Sequence, residues 1–169
     1  MGRDSRLIKL CKRGSEKAFD EIYYSYYRLV FYQAYQVLNN KEDAEDVMQN
    51  TFLKFMNGIN EVDENSNLKQ YLSTIAKNLA IDGYRRKKRQ ENVDDVDSIT
   101  SSNDRYSESD ILISLRGTLE RDEARIFVLK VVYDYTFKEI AQELEVTLNV
   151  MEAKYYKALK KVKAHYKDR

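Results

Sequence analysis

The stretch NLKQYLSTIAKNLAIDGYRRKKRQ, residues 67–90, decides how this chain is read, because its character changes halfway along. In the first half Leu68, Tyr71, Leu72, Ile75 and Leu79 recur at i, i+3, i+4, i+7 and i+11, one apolar stripe at helical period, with Asn67 placed to cap the first turn. In the second half Arg85, Arg86, Lys87, Lys88 and Arg89 form an unbroken cationic run, and Lys77 and Asn78 fall on a polar side of the same helix. Cations at a helix C-terminus match the macrodipole, but five in succession exceed what ending a helix requires and suit a row of phosphates. On these residues alone a solvated charged end and a phosphate-binding surface both stay open.

Working outward, a length of 169 residues allows one domain or two small ones, each able to bury a core. Proline is absent, where average usage of roughly 5% predicts about eight, so long uninterrupted helices are permitted throughout. No period-two run longer than a few residues marks a strand, and the chain reads as all-α. The net charge of +1 conceals segregation: residues 91–110 carry seven acids against Arg105 alone, while lysines crowd residues 154–167. The single Cys11 forbids an intrachain disulfide, and the lone His165 has no partners at metal-ligand spacing, so no cofactor is expected. With no apolar run long enough for a bilayer and no signal peptide, the expectation is a cytoplasmic protein without membrane insertion.

In order, a helix from Asp4 to Arg13 is stopped by Gly14, and a second begins at Ser15, its stripe made by Phe19, Ile22, Tyr23, Tyr26, Val30, Ala34, Val37 and Leu38. A third, KEDAEDVMQNTFLKFMNG over 41–58, is capped by Asn40 and buries Ala44, Val47, Met48, Phe52, Phe55 and Met56. That leaves Glu42, Asp43, Glu45, Asp46, Gln49 and Asn50 outward, either a solvated face or one for a basic partner. Residues 59–66, INEVDENS, read as a polar loop. Residues 91–107 are acidic, serine-rich and aperiodic, a flexible linker. The expected organisation is a domain over 1–90, the linker over 91–107 and a second domain over 108–169. Ile111, Leu112, Leu115 and Leu119 open the second domain with a short helix, followed by the apolar ARIFVLKVV over 124–132.

Thr136 and Glu139 then stand at capping-box spacing before FKEIAQEL, and a three-residue turn, Glu145 to Thr147, leads to LNVMEAKYYKALKKVKAHY, capped by Thr147. The unit reads helix, tight turn, helix, with small Ala141 where the two would approach. Leu148, Met151, Tyr155, Leu159 and Val162 form the expected buried stripe of the last helix. Opposite them Asn149, Glu152, Ala153, Tyr156 and Lys157 occupy the positions from which a recognition helix meets base edges, with Lys154, Lys160, Lys161 and Lys163 able to reach phosphates.

Four blocks, AFDEIYYSYYRLVF from Ala18, EDAEDVMQNTFLKF from Glu42, LKQYLSTIAKNLAIDGYRRKKR from Leu68 and FKEIAQELEVTLNVMEAKYYKALKKVK from Phe137, stand in an order and spacing that resembles the bacterial sigma-seventy family, in its extracytoplasmic-function group. The resemblance covers nearly the whole chain except the acidic linker. It implies an RNA polymerase sigma factor that binds core polymerase and promoter DNA, directs initiation and performs no catalysis, with an anti-sigma factor as a candidate further partner. By the same resemblance Asp43, Asp46 and Gln49 lie at the polymerase-binding surface. Tyr71, where the family usually has Trp, together with Lys77, Asn78, Arg85 and Arg86, faces the minus-ten strand. The last helix, with Asn149, Glu152, Ala153, Tyr156 and Lys157, meets the minus-thirty-five element. Three departures from the family pattern concern that element: Glu145 replaces the usual turn glycine, Asn149 to Lys154 replace a Gly-Thr-Val-Lys-Ser-Arg run, and Glu120 replaces a proline. Glu152 repels phosphate yet can accept from a cytosine amino group.

Two other classes compete. A sigma-like regulator that binds polymerase or DNA without opening promoters is compatible with Glu152 and Tyr71, whereas a helical enzyme lacks a Gly-rich phosphate loop, a metal cluster or a nucleophile–base pair in the sequence.

Overall fold

The computed structural model describes residues 2–91 and 117–168, which form two compact units, one on each side of the intervening stretch. Of the acidic linker expected over 91–107 only Glu91 is described, as the last residue of the helix Leu68–Glu91, and of the helix expected over Ile111, Leu112, Leu115 and Leu119 only the end is described, where Leu119 stands in a bend and not in a helix; the rest of both lies outside the described residues. Every regular element among the described residues is helical.

The first unit holds α1 (Arg3–Lys12), α2 (Glu16–Leu38), α3 (Lys41–Asn57), a single 3-10 turn (Ile59–Glu61) and α4 (Leu68–Glu91). Side chains at the expected caps satisfy the free N–H groups of each helix start. Ser15 Oγ accepts from the Ala18 N–H at 3.2 Å, Asn40 Oδ1 from the Asp43 N–H at 3.0 Å and Asn67 Oδ1 from the Gln70 N–H at 3.2 Å. Gly14 ends α1 at φ +82°, a left-handed position that lets the Ser15 N–H reach the Leu10 carbonyl at 3.0 Å. The core gathers Leu7, Ile8, Ile22, Val30, Phe52, Phe55, Leu68 and Leu72, and truncation of a ring as enclosed as Phe55 costs about 3–5 kcal/mol. Cys11 is buried here as a free thiol, and burial pushes it up.

Two expectations need correction. On α4 the fully buried line is Leu68, Leu72, Ala76 and Ala80, while Tyr71, Ile75 and Leu79 are only half-buried along its flank. The reason is packing: α4 lies against both α2 and α3, and the line that faces into this core runs from Leu68 through Leu72 to Ala76 and Ala80, with the larger residues beside it. Nor is 59–66 wholly a surface loop, because Ile59 and Val62 are buried in the core and fix its path.

In the second unit α5 (Arg121–Val131), α6 (Phe137–Glu143) and α7 (Leu148–Lys167) surround Ile126, Leu129, Tyr135, Ile140, Met151 and Ala158, all fully enclosed. The capping box at Thr136 is present: Glu139 Oε2 accepts from the Thr136 N–H at 2.7 Å, and Thr136 Oγ1 from the Glu139 N–H at 3.2 Å. After α6, the Val146 N–H bonds the Ala141 carbonyl at 3.0 Å and the Glu145 N–H the Gln142 carbonyl at 3.3 Å, a Schellman turn with Glu145 at φ +54°. Leu148, expected in the buried stripe of α7, is 44% exposed. It is the first residue of the helix, where no facing element among the described residues covers it, and Ala158 takes part in the buried line instead.

Candidate nucleic-acid and polymerase interface

Because α4 continues without a break from its packed half, Arg85 to Arg89 are carried clear of the core and all five are exposed. Tyr71, Asn78 and Arg85 are spaced by seven residues, so they align along one side of the helix. Asn78 and Arg85 are open to solvent there, whereas Tyr71 is half-buried with its ring edge-on to Phe55, centroids 6.2 Å apart. Lys77 and Arg86 are each one residue removed from that line and therefore about 100° round the helix. The expected minus-ten set is thus brought together at three positions and splayed at two.

On α3, Asp46 and Gln49 are exposed on the outer face, and they share it with Leu53, which is 60% exposed. Leu53 was absent from the expected set; its signal in the sequence is an apolar residue at i+7 from Asp46, off the buried stripe. Asp43 turns to the flank nearer α4, where its carboxylate receives Lys87 Nζ at 3.0 Å.

In the second unit Asn149, Ala153, Tyr156 and Lys157 are exposed on α7 and Glu152 is partly covered. Tyr156 is 57% exposed yet held upright by Phe137, centroids 6.2 Å apart, and by Tyr155 at 5.3 Å. Lys130 Nζ lies 5.0 Å from the Phe137 centroid, so an aromatic cluster with a cation over it braces the helix. Lys157 and Lys161 lean toward α5, where Glu123 Oε1 is 3.4 Å from Lys157 Nζ and Glu123 Oε2 is 2.7 Å from Lys161 Nζ. Burial acts to raise the Glu123 pKa, but hydrogen bonds from Lys161, the Glu120 N–H and Lys157 together hold its carboxyl below the ordinary value. Glu123 escaped the sequence reading; its trace there is the spacing of three from Glu120, which matches a capping box.

The sigma-70 region 2 family model matches residues 22–90 and the sigma-70 region 4 model matches residues 109–162. The chain is similar to the ECF RNA polymerase sigma factor SigW of Bacillus subtilis (strain 168), 26% identical over an alignment of 178 positions that covers 95% of each chain. It is 22% identical to the ECF RNA polymerase sigma factor SigX of the same organism, with 89% of this chain and 84% of that one covered. In fold it resembles the sigma factor RpoE co-crystallised with the anti-sigma factor NepR from Bartonella quintana, with a TM-score of 0.60 at 19% identity over 90% of this chain and 99% of that one. With both regions matched in order along the sequence, the chain belongs to the sigma-70 family, in its extracytoplasmic-function group.

Proposed function

We propose that this sigma factor, which binds core RNA polymerase and directs it to promoters, divides the work between its two units. The first, residues 1–90, docks on polymerase through Asp46, Gln49 and the exposed Leu53 of α3, with Asp43 at the margin. The same unit holds the minus-ten strand along α4, where Asn78 and Arg85 meet the nucleic acid, Lys77 and Arg86 flank them and Tyr71 stands at the packed end. The second unit, residues 108–169, sets α7 in the major groove at the minus-thirty-five element, with Asn149, Glu152, Ala153, Tyr156 and Lys157 toward the bases. Residues 91–107 join the two. The observation that carries the reading is the single uninterrupted α4, packed at one end and presenting five exposed cations at the other.

No catalysis is assigned to the chain, since bond formation belongs to the polymerase it recruits, and its place of work is the cytoplasm. No helix among the described residues is long and apolar enough to cross a membrane. An anti-sigma factor is a further partner, as NepR is for RpoE.

A second reading, a regulator that binds polymerase or DNA without opening promoters, is favoured by one observation: Tyr71 packs on Phe55 instead of standing free to stack. Transcription in vitro with purified core polymerase distinguishes them. Specific runoff product from a linear promoter supports the first reading; stable promoter complexes that yield none support the second.

A further inference from the structure

On α7, Lys154, Lys157 and Lys161 stand at i, i+3 and i+7 and therefore share one flank. Each meets acid from the start of α5. Lys154 Nζ is 3.6 Å from Asp122 Oδ2, Lys157 Nζ is 3.4 Å from Glu123 Oε1 and Lys161 Nζ is 2.7 Å from Glu123 Oε2. Glu120 Oε1 adds longer contacts of 4.0 Å to Lys157 and 3.8 Å to Lys161. Lys160 stands about 60° round the helix from Lys157 and Lys163 about 60° beyond it; both are exposed and form no ion pair among the described residues.

The acids are unequal. Asp122 and Glu120 are open to solvent at 76% and 72%, whereas the Glu123 side chain is only 4% exposed. Glu123 Oε2 also accepts from the Glu120 N–H at 3.0 Å, which fixes its rotamer to the helix start. A carboxylate so enclosed stays charged only while cations compensate it, so drawing Lys161 onto a phosphate would leave an uncompensated buried charge. Lys157 is different: at 60% exposure it can leave Glu123 while Lys161 continues to hold it.

We propose that Glu123 is a positioning residue that partitions the lysines of α7. Lys161 is withheld from DNA as the anchor of Glu123, Lys157 is kept on a short tether from which it reaches a base edge, and Lys160 and Lys163 make the contacts to promoter phosphate. This rests on α7 being the minus-thirty-five reader.

The test is the salt dependence of promoter binding by holoenzyme assembled from the full chain and core polymerase, on labelled duplex promoter with and without the minus-thirty-five sequence. Each phosphate contact contributes about 0.9 to the slope of log affinity against log salt, about 3.5-fold between 50 and 200 mM. K160A and K163A should each lower the slope by about that amount and K161A should leave it unchanged. E123Q should steepen the slope by about the same amount as the released Lys161 finds a phosphate. A merely structural Glu123 would reduce affinity equally at every salt, and that result overturns the proposal, as does a K161A loss equal to that of K160A. Should K161A loosen the unit, the paired E123Q/K161M variant removes both charges together, and a slope unlike the wild type's counts against the proposal. Equal binding to the two promoter fragments by wild-type holoenzyme would instead strike the underlying reading of α7, and the proposal with it.

Discussion

Lys87 Nζ lies 3.0 Å from Asp43 Oδ2, so the basic end of α4 is tied to the acidic first turn of α3 across 44 positions of sequence. Both side chains remain partly open, at 52% and 39%, and a solvent-screened pair of this kind contributes between nothing and about 1 kcal/mol. Its consequence is positional: Asp43 already has a cation of its own, while Asp46 and Gln49 present their polar groups outward.

Charge reversal therefore should not act equally on the two acids. Asp46→Lys is expected to weaken binding to core polymerase about tenfold or more, because it reverses the charge on the face proposed to dock there. Asp43→Lys should have a smaller effect on docking while loosening Lys87. Affinities from a labelled-protein titration against core, with helicity checked by circular dichroism, decide it; equal losses, or none, would reject the assignment of the outer face of α3.

Replacement of Glu145 offers a cleaner stability test. A side chain at φ +54° in a Schellman turn is strained by roughly 1–2 kcal/mol relative to glycine, of which glycine's extra unfolded-state entropy returns about 0.5–1 kcal/mol. Glu145→Gly is thus expected to stabilise the α6–α7 turn by up to about 1 kcal/mol, read as slower amide hydrogen exchange in those two helices. Faster exchange would show that the carboxylate contributes more than the backbone strain costs.

What the sequence disclosed of the fold was what is local. The caps at Asn40, Asn67 and Thr136 with Glu139 depend on residues within four positions, and the structure has them as read, together with the helices they open. What it did not disclose depends on a partner far along the chain. Ala76 and Ala80 are too small to mark a stripe, yet both are fully buried, and Ile59 and Val62 look like loop residues until the core is assembled around them. The candidate surfaces divide in the same way. Helical period placed Asp46, Gln49, Asn78, Arg85, Asn149 and Tyr156 on exposed positions, but no periodicity could announce that Asp43 meets Lys87 or that Glu123 meets Lys157 and Lys161.

Acid should act on the second unit through Glu123. Its carboxyl is held below the ordinary value of about 4.3, so its contribution is fully present above that pH and is lost as the pH falls through the depressed folded value. At neutral pH Glu123→Gln is expected to cost about 1.5–3 kcal/mol, the worth of hydrogen bonds to a charged group. Below about pH 4 the gap between variant and wild type should narrow, because the wild-type carboxylate is then losing its charge too. Hydrogen exchange of α5 and α7 amides across this range measures the gap, and a gap independent of pH would mean that the charge of Glu123 does not stabilise the unit.

Opening DNA and reading it should separate at two tyrosines. Tyr71 sits half-buried against Phe55, and Tyr156 stands exposed on Phe137 and Tyr155. If Tyr71 turns out to stack on an unpaired base, its loss removes about 1–3 kcal/mol of strand capture. Tyr71→Leu is the informative change, because it keeps apolar bulk against Phe55 while removing the aromatic face; promoter complexes should form but open slowly. Tyr156→Ala should weaken the closed complex itself, by about 1–3 kcal/mol if the ring reaches a base. A template melted in advance at the minus-ten element should restore the Tyr71→Leu variant nearly to wild-type transcription and leave the Tyr156→Ala defect in place. A Tyr71→Leu chain that transcribes normally from the closed duplex, or one whose defect survives on the melted template together with faster amide exchange in α3 and α4, assigns Tyr71 to the core beside Phe55 and leaves strand capture to Asn78 and the cations beyond it.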